Sequence, residues 1–79
     1  MLTPRQIVET SFLEARHMLL EVAALLDRHD AAVARAGGFA ADAETAEKLA
    51  VLRAALAVLA AEAGGGERTT DLLHLFARV

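Results

Sequence analysis

Cysteine is absent from this 79-residue chain, which excludes disulfide staples and any zinc site built on thiolates. Proline occurs once, at Pro4, so almost nothing interrupts a helix. Without a thiol, nucleophilic catalysis would fall to a threonine or to Ser11, the sole serine. Ser11 sits within a helical pattern that supplies it neither a base nor an orienting group. The glycine-rich "GGGERTT" lacks the lysine and the preceding strand of a phosphate-binding loop. No catalytic apparatus is visible, and the chain is not expected to be an enzyme.

Blocks of one charge are missing too. Net charge is −3, and Arg5, Arg16, Arg28, Arg35, Arg53, Arg68 and Arg78 are scattered among more numerous acids. Nucleic-acid binding is not expected, because phosphate contacts require a basic face. Anionic membrane surfaces are disfavoured for the same reason. The longest apolar windows are broken by Glu21 and Arg53, well short of the ~18 apolar residues that a membrane span needs. Met1 to Thr10 is mixed rather than basic and then apolar, so the expected location is the cytoplasm.

Apolar side chains, by contrast, are plentiful. They make up 56% of the residues, with three phenylalanines as the only aromatics. Alanine accounts for about a quarter of the chain, against under a tenth in average proteins. A domain this small hides only about 60% of the surface its unfolded chain exposes, so a lone copy would be marginal. Self-association is the usual remedy and is expected here.

The helices announce their own ends. Thr3, Pro4 and Gln6 form a Thr-x-x-Gln capping box with proline at the first helical position. Helix 1 then runs from about 4 to 36 on the stripe Val8, Phe12, Ala15, Leu19, Val22 and Leu26, spaced by threes and fours. Gly37 and Gly38 stop it, since glycine accepts the left-handed conformation that ends helices. A bend near Asp30 is the alternative to a continuous helix. "GGFAAD" is short enough for an antiparallel hairpin, with Phe39 plugging the end of the bundle. Asp42 caps helix 2, and Glu44 and Glu47 complement its positive dipole end.

Helix 2 is expected over about 43–63 and carries three apolar rows. Leu49, Leu52, Leu56 and Leu59 form a heptad-like stripe. Ala50, Ala54, Ala57 and Ala61 lie roughly 150° around the helix from it, and Val51 and Val58 make the third row. After a flexible "GGGE" connector, Thr69 or Thr70 caps helix 3, expected over about 70–79. Its sticky face is Leu72, Leu75, Phe76 and Val79, with His74 opposite. So short a helix must dock on something, by folding back or by exchange with a neighbour.

The expected architecture is therefore all-α: residues 1–79 as one small helical domain, an antiparallel hairpin plus a short third helix. Two copies would dimerise into a four-helix-type bundle. The leucine stripe would face Phe12, Leu19, Val22 and Leu26 within the chain. The alanine row and an edge formed by Leu13, Leu20 and Ala24 are the candidate interfaces between chains.

One stretch carries metal-site chemistry. "EARHMLLE" aligns Glu14, His17 and Glu21 on one helix face. Glu14-Ala15-Arg16-His17 resembles, over those four residues, a fragment of the ferritin-like di-iron proteins. That resemblance implies iron or manganese held by acid and imidazole ligands, with zinc a further possibility. Such sites take about six ligands from four helices, so a complete one would have to be built between chains. The competing reading is a polar stripe in which His17 and Glu21 pair one turn apart. "DRHD" poses a similar choice for His29 and Asp30, between an overhanging helix end and a ligand or proton-transfer pair. The leading functional expectation is a non-catalytic interaction or scaffold protein that pairs with itself or with another protein. The alternative is a metal-binding oligomer.

Overall fold

The computed structural model describes residues 1–38, 42–61 and 66–79. These form three α-helices, α1 (Pro4–Arg35), α2 (Ala43–Ala60) and α3 (Arg68–Phe76), and no strand. The all-helical class follows from an alanine-rich chain with its one proline at a helix start. The chain divides into two units, Met1–Phe39 and Ala40–Val79.

The first unit is built on α1. Its capping box is complete: the Thr3 amide donates to Gln6 Oε1 at 2.8 Å, and the Gln6 amide donates to Thr3 Oγ1 at 3.2 Å. Two amides that the helix leaves without internal partners are thereby satisfied. Helix α1 continues without interruption through Asp30 to Arg35. Beyond Ala36, the Gly37 amide donates to the Ala34 carbonyl at 3.2 Å and the Gly38 amide to the Val33 carbonyl at 2.9 Å. This pair of bonds is the Schellman arrangement. It needs the left-handed backbone found at Gly37 (φ +74°), and Gly38 beyond it also has positive φ (+89°).

The second unit is α3 folded back on α2. Helix α2 starts where Asp42 Oδ1 accepts the Thr45 amide at 2.9 Å. It ends at Ala60, short of the expected 63, because Ala61 turns extended (ψ 143°). An Arg68 guanidinium N–H donates to the Ala61 carbonyl, placing a cation at the negative end of the α2 dipole. Helix α3 begins at Arg68, so Thr69 and Thr70 lie inside its first turn and neither caps it. The N-cap is Glu67, whose carbonyl accepts the Asp71 amide. The last residues tighten after Phe76, where Arg78 and Val79 donate three residues back to Leu75 and Phe76.

The core of this unit is small: among the described residues, Val51 and Ala55 are buried. Both lie on the valine row, roughly 110° around α2 from the leucine stripe. Leu72 and Leu75 of α3 are half-buried, as are Leu49, Leu52, Leu56 and Val58 of α2. Phe76 and Val79, also expected on the sticky face, stay exposed. Phe39 and the end of the expected helix 2 at 62–63 fall outside the described residues.

Candidate functional site

The residues singled out for metal chemistry sit on the exposed surface of α1. His17 Nε2 lies 3.2 Å from Glu21 Oε1, with the two side chains 72% and 70% exposed. Glu14 shares their face, one turn towards the N-terminus, but joins no ion pair among the described residues. Among those residues, no three acids or histidines gather closely enough to hold a metal ion. By itself, then, one chain offers a single imidazole–carboxylate contact at i, i+4. In water such a pair contributes about 0.3–0.5 kcal/mol at most.

His29 and Asp30 also touch, through Nδ1 and Oδ1 at 3.3 Å. Their environments differ: the His29 side chain is 28% exposed and that of Asp30 70%. The imidazole is therefore largely shielded from water while the carboxylate stays in it. No third polar group joins them among the described residues, so a proton relay has nowhere to lead.

The proposed interface residues are all solvent-facing. Leu13 is 75% exposed and Leu20 52%, and Ala50, Ala54, Ala57 and Ala61 are exposed along α2. Helix α1 buries no residue at all. Its principal stripe is open as well, with Val8, Phe12 and Leu19 more than half exposed. A further apolar row, Ile7, Met18 and Leu25, is exposed beside that stripe. Sequence reasoning missed this row, although its spacing of eleven and seven residues returns to one face of a helix. Large apolar side chains thus occupy most of the circumference of α1, far more than one neighbouring helix can cover.

Helix α3 adds a feature the pattern did not suggest. Asp71 and His74 of α3, with Arg78 just beyond its end, are spaced by three and four residues. They border an open crevice whose floor is Ala54, Val58 and Leu75. Ala54, expected to meet another chain, therefore lies beside α3 of its own chain, whereas Ala57 does not line the crevice. A second shallow groove runs along α1 itself between Phe12, Ala15, Arg16, Leu19, Leu20 and Ala23. It brings Phe12 and Leu19 of the principal stripe and Leu20 of the edge to one groove, which Arg16 also lines.

Surface charge is arranged for helix stability. Arg5 pairs with Glu9 at 2.8 Å, and Lys48 with Glu44 at 3.4 Å, both at i, i+4. The Thr45 amide bonded to Asp42 holds that carboxyl below its ordinary range. No family model, curated protein or solved structure matches this chain. The functional reading therefore rests on the residues and their surroundings.

Proposed function

We propose that this chain is a non-catalytic helical interaction or scaffold protein that associates with itself, a homodimer being the first form to test. What supports the reading is α1, a 32-residue helix with no buried residue. Its large apolar side chains stand in water from Ile7 to Leu25. Contiguous apolar surface of that extent marks an association surface. In the proposed assembly α1 and α2 of each chain pair as an antiparallel hairpin. Two hairpins then form a four-helix-type bundle through either the Leu13/Leu20 edge or the alanine row. Affinity would come from apolar area removed from water rather than from charge. The same proposal places the protein in the cytoplasm, with another protein as a possible additional partner.

The rival reading is a metal-binding oligomer with iron, manganese or zinc at the chain interface. The observation in its favour is the alignment of Glu14 with the touching His17–Glu21 pair. A second copy of that face would double the ligands available. Native mass spectrometry of protein purified without chelator separates the two, since one spectrum reports chain number and bound metal together. Metal-free dimer is the expected result. A monomer at micromolar concentration would overturn the self-association reading. An oligomer carrying stoichiometric metal that His17→Ala releases without loss of helicity would put the rival reading first.

A further inference from the structure

We draw no further inference here: the strongest candidate, the open crevice between α2 and α3 floored by Ala54, Val58 and Leu75, is bordered by charges of both signs at Asp71 and Arg78, and nothing in the structure shows what covers it.

Discussion

Helix α1 and the α2–α3 unit are similar in length and both rich in apolar residues, yet they differ in what they bury. The α2–α3 unit folds on itself and encloses Val51 and Ala55. Helix α1 encloses nothing. Within its unit α2 has α3 to lie against, whereas α1 is the single helix of its unit and finds no second helix there to cover its side chains. Length also matters: nine residues of α3 are too few to stand alone, so α3 persists by docking. Thirty-two residues of α1, well capped at both ends, are long enough for helical structure to form without a neighbour. Apolar content therefore serves two purposes in this protein. In the second unit it holds a hairpin together, and in α1 it is the surface on which the proposed association rests.

The sharpest way to break this contrast is to alter an exposed row and ask whether association is lost while the fold remains. Ala57→Glu, or Leu13→Glu on α1, places a charge where the proposed interface would exclude water, at a cost of several kcal/mol per interface. The one whose row forms the interface is expected to weaken dimerisation by about 100-fold or more while circular dichroism stays unchanged. Sedimentation of both variants as normal dimers would remove both faces from the proposal. Ala57 is the better choice than Ala54, because Ala54 also borders the crevice beside α3.

Val51→Asp tests the other half. A carboxylate at one of the two buried positions is expected to detach α3 and cost about 3 kcal/mol or more. Amides of α3 should then lose hydrogen-exchange protection while those in the middle of α1 keep theirs. Equal loss in both would show that the units are energetically one.

Two smaller effects sharpen the comparison at the helix starts. Thr3→Ala removes one side of the capping box and should cost about 1 kcal/mol, seen as fraying of the first turn of α1 in exchange data. Helix α2 should respond to acid through its cap, because Asp42 is ionisable where the α1 cap, Thr3, is not. The Asp42 carboxyl is held below its ordinary value of 3.8 by the Thr45 amide. The stabilisation is thus complete above that value and is lost as pH falls through the lowered one. Backbone chemical shifts of Thr45 followed through an acid titration should report the change, and Asp42→Asn should flatten it.

Much of the fold was legible in the sequence because it is written in local chemistry. Thr3, Pro4 and Gln6 specify a helix start through bonds that span only three residues, and the structure forms both of them. Gly37, Gly38 and Asp42 likewise act within their own turns. The start of α3 was harder to read, since Thr69 and Thr70 have capping side chains but no helix end to serve. Instead the helix begins at Arg68, whose guanidinium reaches the Ala61 carbonyl seven positions away. Which row of α2 would receive α3 was also not legible. The leucine, alanine and valine rows are all apolar, and only the folded connection selects the valine row. Of the candidate site, the His17–Glu21 contact followed from helical spacing. The crevice beside Asp71 and His74 did not, because it needs two helices to exist.

The two glycines after α1 have a consequence for the chirality of the chain. At Gly37 and Gly38 the backbone occupies a region natural to mirror-image residues, and a β-carbon built at either position meets nothing within 4 Å. Space does not restrict these sites; handedness alone does. An L-alanine at Gly37 would meet no neighbouring atom yet strain the backbone. The pair therefore ends α1 because glycine takes this left-handed backbone without the strain that an L side chain would carry there.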